Sequence, residues 1–237
     1  YGTTKGHLIK AYVTDLQGRD FAPALPEGRA RSELDELVQR TSSPDILDRL
    51  PRDPKHILVI SNALRGSGDV YKVNVYTGQS ERVYRAVEDY FGLQTDQAGE
   101  IRARQRTDTD GGGTYIATEI RHPDTREWQE HFRLYGKERR GMQLVGFSTD
   151  PGIAYVVDTR NRDRAGLYEY DIRTRKVLGP AFEHKVFAAS DVIQSDAPGD
   201  YGAVLGFSYQ AEAPRIYWTD PTLASVDKAL TQALNLK

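Results

Sequence analysis

The sequence predicts an all-β protein made of repeated four-stranded antiparallel sheets, and three observations predict it. First, one pattern is written at least three times: apolar strand, Asp/Pro/Gly turn, apolar strand, gap, aromatic-rich strand, then a turn marked by Thr or Gly. It covers residues 45–78, with turn 51–54 and the strand Val70-Tyr71-Lys72-Val73-Asn74-Val75. It returns over 143–174, with Thr149-Asp150-Pro151-Gly152 and Leu167-Tyr168-Glu169-Tyr170-Asp171-Ile172, and over 191–218, with Asp196-Ala197-Pro198-Gly199-Asp200 and Ile216-Tyr217-Trp218. Second, Tyr71 and Tyr168 lie 97 positions apart and Tyr168 and Tyr217 lie 49 apart, so one more copy is expected in the first interval. Third, 14 Tyr against a single Met suit many half-buried strands, because tyrosine fits a pleated surface with one wet side. A repeat of about 40–50 residues carrying four short strands has the size of one β-propeller blade. One blade cannot bury both of its faces, and stacking blades around an axis buries each against its neighbour. The alternative is a β-sandwich with irregular repeats.

The elements follow in order. Residues 7–13 read as a strand and Asp15-Leu16-Gln17-Gly18 as a turn, giving a half blade at about 1–25. Residues 22–31, rich in Pro, Gly and Arg, read as a loop. Leu34, Leu37 and Val38 have i, i+3, i+4 spacing behind Ser32 as N-cap, predicting a short helix over 33–40 that Thr41-Ser42-Ser43-Pro44 breaks. Full blades are expected at about 45–87, 98–136, 142–180 and 188–220. In the second and most diverged, residues 100–106, 115–120 and 128–135 alternate as strands, and residues 108–113 form a turn or disordered tip. Asp220-Pro221 supplies an N-cap and a first-turn proline. Leu223, Val226, Leu230 and Leu234 then keep a helical period, predicting an amphipathic helix over 221–234 whose apolar stripe needs a surface to cover. Four blades and a half fall short of the usual seven or eight. The expectation is a partial propeller, either a truncated ring or an open arc whose exposed blade faces favour self-association.

Composition bounds the chemistry. The chain has 237 residues, a formal net charge of −2 and no cysteine. Disulfides, thiolate metal sites and cysteine nucleophiles are excluded, and both cytoplasm and periplasm remain open. No apolar run approaches the roughly 18–20 residues that span a bilayer. The first residue is Tyr and no signal peptide is present, so the chain is expected to be cut from a longer protein. No nucleic-acid partner is expected, because most aromatics fall at strand-interior positions rather than beside a basic stripe.

The Asp-Pro-Gly turns between apolar strands, together with Val70-Tyr71-Lys72-Val73-Asn74-Val75-Tyr76-Thr77-Gly78 and residues 167–174, resemble the blade signature of the propeller domain in the prolyl oligopeptidase family of serine peptidases. Residues 48–59 are similar to bacterial members of acylaminoacyl- and dipeptidyl-peptidase type, and so is the segment Ile216-Tyr217-Trp218-Thr219-Asp220-Pro221 leading into residues 223–234. The resemblance covers most of the chain from about residue 45. It implies a parent in which the propeller caps an α/β-hydrolase domain with a Ser-His-Asp triad and filters peptide substrates by size. It also implies a periplasmic or secreted address.

The catalytic machinery itself is not expected here. The nucleophile elbow needs Gly-x-Ser-x-Gly on a strand-to-helix turn. Gly146-Phe147-Ser148-Thr149-Asp150 and Gly206-Phe207-Ser208-Tyr209-Gln210 lack the last glycine and a following helix, so both serines are expected in blade strands or turns. Of the five histidines, His122 and His131 flank one hairpin and could approach each other, but solvated or capping histidines are commoner, and no metal or other cofactor is expected. Arg102, Arg104 and Arg106, at period two, project from one face of a strand. If that strand is innermost they could draw a peptide carboxylate into the channel; if it is an edge strand they guard against unwanted pairing. Arg160, Arg162, Arg164 and residues 137–140 form arginine-rich loops with acids nearby, among them Glu138, Asp158 and Asp163.

Three functions fit. The first is a non-catalytic propeller segment that gates peptide access to an α/β-hydrolase domain absent from this chain. The second is a stand-alone propeller that binds protein partners. The third is a propeller enzyme using channel carboxylates, for which Asp45, Asp48 and Asp191 lie on first strands, although turn and ladder-end roles explain them equally well.

Overall fold

Runs of β-branched and aromatic residues, punctuated by Asp-, Asn- and Gly-bearing turns, fold as short strands that pair with their neighbours in sequence. A computed structural model describes residues 12–19, 21–25, 43–62, 68–138 and 140–234. It shows a mostly β chain of four antiparallel blades and one C-terminal helix. The predicted helix over 33–40 and most of the predicted strand 7–13 lie outside the described residues.

Blade 1 comprises β3 (Ser43–Asp48), β4 (His56–Asn62), β5 (Val70–Asn74) and β6 (Ser80–Tyr84), in that order. Blade 2 comprises β7 (Tyr90–Thr95), β8 (Ile101–Asp110), β9 (Gly113–Arg121) and β10 (Trp128–Tyr135). Blade 3 comprises β11 (Met142–Phe147), β12 (Ile153–Asp158), β13 (Gly166–Asp171) and β14 (Lys176–Phe182). Blade 4 has three strands among the described residues: β15 (Ala188–Gln194), β16 (Val204–Gln210) and β17 (Pro214–Trp218). It is followed by helix α1 (Pro221–Ala233). The first strand of every blade carries a register shift against the second. Bulges of this kind bend the strand and increase its twist.

Several boundaries differ from expectation. Blade 2 begins at Tyr90 rather than near residue 98. Gly92, at φ 59°, breaks the alternation that would have announced β7. Strand β8 runs on to Asp110 and β9 starts at Gly113, so the expected turn over 108–113 shrinks to Gly111 and Gly112. Ala22–Pro23 forms a short strand, β2, paired with β1 (Tyr12–Val13), where a loop was expected.

One turn recurs at the end of each third strand. Asn74 Oδ1 accepts hydrogen bonds from the Tyr76 and Thr77 amides at 2.9 and 3.1 Å. His122 Nδ1 accepts from Asp124 and Thr125, both at 3.2 Å. Asp171 Oδ1 accepts from Arg173 and Thr174 at 2.8 and 3.0 Å. The fifth residue of each turn, Gly78, Arg126 and Arg175, sits at φ 70°, 65° and 57°. In blade 4 the equivalent acceptor is Asp220, whose Oδ1 takes the Leu223 amide at 2.8 Å. Pro221 follows in the first helical turn, so the motif that elsewhere leads into a fourth strand here caps α1. Counting back from these turns, Tyr71, Tyr168 and Tyr217 share one place, and Glu119 holds it in blade 2. That substitution, with His for Asx at residue 122, hid the second copy.

The chain divides into two compact units, Tyr1–Arg106 and Thr107–Lys237, with the boundary inside β8. In the first, Val59, Val70, Val73 and Ala103 are almost wholly buried. Thr95 Oγ1 donates to Asp48 Oδ2 at 2.6 Å, joining the ends of the first strands of blades 1 and 2. Gly78 lies so close to Ala22 that an added Cβ would stand 2.5 Å from the alanine methyl, which seats the β1–β2 hairpin on the turn. In the second unit, Tyr155, Leu167, Ala189, Val192 and Phe207 form a core between blades 3 and 4, with Phe182 stacked on Phe207 at 5.3 Å. Gln194 Nε2 donates to the Phe147 carbonyl at 2.9 Å, again linking the ends of first strands. Arg173 forks onto Asp124 with bonds of 2.7 and 3.0 Å, tying equivalent turns of neighbouring blades.

Candidate functional site

The three period-two arginines occupy β8, which has a strand on each side. It is therefore an inner strand of its blade, between β7 and β9. Arg102 is 1 % exposed, with Nη1 2.8 Å from Asp96 Oδ2. Asp96 in turn accepts the Ala98 and Glu100 amides with Oδ1, so the pair braces the β7–β8 turn. A buried charge needs such a partner to offset its desolvation. Arg104 lies over the Tyr90 ring at 3.9 Å and is half-buried, as is Arg106.

The two serines take up the roles expected for them. Ser148 follows β11, and its Oγ accepts the Asp150 amide at 3.2 Å inside the β11–β12 turn. Ser208 lies within β16, with its Oγ 2.8 Å from Ser190 Oγ. The first-strand acids serve the backbone. Asp48 accepts the Leu50 amide at 2.7 Å, and Asp45 and Asp191 accept the amides of Ile46 and Val192, each at 2.8 Å. The histidines part company. His122 closes its turn, whereas His131 hydrogen-bonds Tyr170 OH through Nδ1 at 2.9 Å. Among the described residues no three potential metal ligands from His, Cys, Asp and Glu come together.

Polar side chains do converge on blade 3. A cavity of about 520 Å³ is lined by Asp158, Arg160, Asn161, Arg162 and Val177. Asp158 ends β12 almost fully buried; burial works to raise its carboxylate, but the hydrogen bonds and charge of Arg160 together hold it below the usual range. Arg160 meets it edge-on, with Nε to Oδ1 at 3.0 Å and Nη2 to Oδ2 at 2.9 Å. Arg162 bonds Glu183 through Nη1 at 3.1 Å and lies over the Tyr168 ring at 4.3 Å. Tyr168 OH also donates to Glu183, and burial followed by this carboxylate pushes the phenol up to about 12. In the sequence these arginines read only as loop charges with acids nearby. The signal that could have found the site is an acid at a strand end followed two places later by arginine, the spacing at which the Asp158 carboxylate takes both the amide and the guanidinium of Arg160.

No family model matches the chain, and no curated protein matches it. Solved structures do. The chain is similar to TolB from Acinetobacter baumannii, at 15% identity and TM-score 0.43, over 87% of this chain and 45% of that one. It is similar to the β-propeller domain of Cps50 (Swd1) from Myceliophteria thermophila, at 14% identity and TM-score 0.39, over 85% and 60%. It is also similar to the β-propeller domain of the Trilobed protease from Pyrococcus furiosus, at 6% identity and TM-score 0.33, over 69% and 54%. The chain thus covers less than two thirds of each of these structures. The fold rests on the sheets themselves, and among the described residues no helix is long and apolar enough to cross a membrane.

Proposed function

We propose that this chain is the propeller segment of a prolyl-oligopeptidase-type serine peptidase, gating peptide access to an α/β-hydrolase domain encoded with it. The observation that carries the reading is where the resembling residues fall. The segments ending at Asn74 and Asp171 are the third strands of blades 1 and 3, each closing on the same side-chain-to-amide turn. Ile216-Tyr217-Trp218 is the third strand of blade 4, leading through the Asp220 cap into α1. In this reading the serines at 148 and 208 are scaffold, and bond cleavage belongs to the other domain.

The test is to read the coding sequence beyond codon 237 and express the continuous product. The expected result is Gly-x-Ser-x-Gly followed by Asp and His. The longer product should then hydrolyse aminoacyl or dipeptidyl p-nitroanilides, with no turnover by the 237-residue chain. A stop codon after Lys237 selects a stand-alone binding propeller instead. Turnover that tracks with the folded 237-residue chain overturns the non-catalytic role.

A further inference from the structure

The blade 3 cavity holds donors that the fold leaves unused. Arg160 is clamped on one edge by the buried Asp158 carboxylate, and Nη2 also reaches Met142 Sδ at 2.9 Å. None of its hydrogen bonds uses Nη1. Arg162 spends only Nη1, on Glu183, and Nε and Nη2 take no part. Between them Asn161, held at φ 52°, lines the same cavity, and so does the apolar Val177. A guanidinium fixed along one edge presents its other N–H groups without further loss of side-chain freedom, which is what planar, two-point recognition of an oxyanion requires. A cavity of this volume is in the range of small-ligand sites.

We infer that this cavity binds an oxyanion, a carboxylate or phosphate group, between Arg160 Nη1, the free edge of Arg162 and the Asn161 amide. Glu183 is half exposed, so its pair with Arg162 is open to exchange with an incoming anion. The inference does not rest on the peptidase reading, and it would stand if no hydrolase domain follows. In that reading the natural source would be a peptide's terminal carboxylate.

The experiment titrates the 237-residue chain with three probes: an acetyl-capped tripeptide with a free C-terminal carboxylate, the same peptide amidated, and inorganic phosphate. Backbone amide and arginine Nε resonances of residues 158–164 and 177 are followed by NMR. At least one oxyanion should give saturable shifts there below about 20 mM, with no response to the amidated peptide. A response to the tripeptide alone assigns a carboxylate source, and a response to phosphate assigns a phosphate source. Arg160→Lys keeps a cation against Asp158 but removes the second guanidinium edge. It and Arg162→Gln should each weaken binding by about tenfold, while Arg164→Gln changes it less than about twofold. Thermal unfolding of each variant verifies folding. Absence of saturable shifts with both oxyanions, or equal affinity in all variants, overturns the inference.

Discussion

At the residue scale, His131 shows how a backbone irregularity redirects chemistry. The β9–β10 register jumps between Glu130 and Phe132, leaving His131 without an opposite residue. Its ring packs edge-on to Tyr170 at 5.7 Å, and Nε2 is buried without a hydrogen-bond partner. Burial, and then the positive fields of Arg175 and His122, push its pKa down to about 4. The folded state thus disfavours the proton that the unfolded chain accepts near its ordinary value of 6.5. Between those two values the unfolded state binds more protons, so stability is full above pH 6.5 and falls as pH drops toward 4. Allowing for the part of the ring that water reaches, the loss amounts to about 1–2 kcal/mol. The comparison variant is His131→Gln, which can still bond Tyr170 OH. In urea unfolding, the stability difference between wild type and variant should stay flat above pH 7 and shift against the wild type between pH 6.5 and 4. A difference constant over that range would contradict the assignment. Spacing in the sequence placed His131 beside a hairpin but could not reveal a bulge, which depends on how two strands pair.

At the element scale, one turn does the same work with different residues. Blades 1, 2 and 3 end their third strands on Asn74, His122 and Asp171, and each turn needs a left-handed fifth residue. Only blade 1 supplies glycine there; blades 2 and 3 place arginine in a conformation that costs an ordinary residue about 1–2 kcal/mol. In Arg126→Gly that relief is largely offset by the greater freedom glycine loses on folding, for a net gain of about 0.5 kcal/mol. Gly78→Ala combines the unfavourable φ with an approach of 2.5 Å to the Ala22 methyl and should lose about 2 kcal/mol. Denaturant midpoints of the two variants test the asymmetry, and equal effects would show that Gly78 is not required for its conformation. The Asn74 and Asp171 turns were legible because Thr-Gly and Asp-x-x-Thr are turn chemistry in themselves. The His122 turn was not, because histidine as an amide acceptor leaves no such mark.

At the scale of the whole molecule, periodicity carried most of the fold: four of the sheets and the C-terminal helix follow from spacing and turn residues alone. What spacing could not convey is which strand of a sheet a given segment becomes. Arg102, Arg104 and Arg106 were correctly placed on one strand, but its inner position depends on β7, whose Gly92 interrupts the alternation. The same periodic construction makes stability a chain of neighbour contacts rather than one shared core. Blade 4 gains its buried apolar surface where Phe207 meets Phe182 and Leu167 of blade 3, and no residue of α1 is buried. Phe207→Ala removes the largest buried side chain that blade 4 brings to that interface and should cost about 3–4 kcal/mol. In a stack of modules this loss stays local. Native-state hydrogen exchange should therefore show amides of β15, β16 and β17 losing most of their protection, while those of β4 and β5 in blade 1 keep theirs. Ion pairs such as Arg173–Asp124 are solvent-exposed and screened, so Asp124→Asn leaves both patterns nearly unchanged. If Phe207→Ala instead lowered protection evenly from blade 1 to blade 4, the blades would have to unfold as a single cooperative body, and modular stacking could not be what holds this chain together.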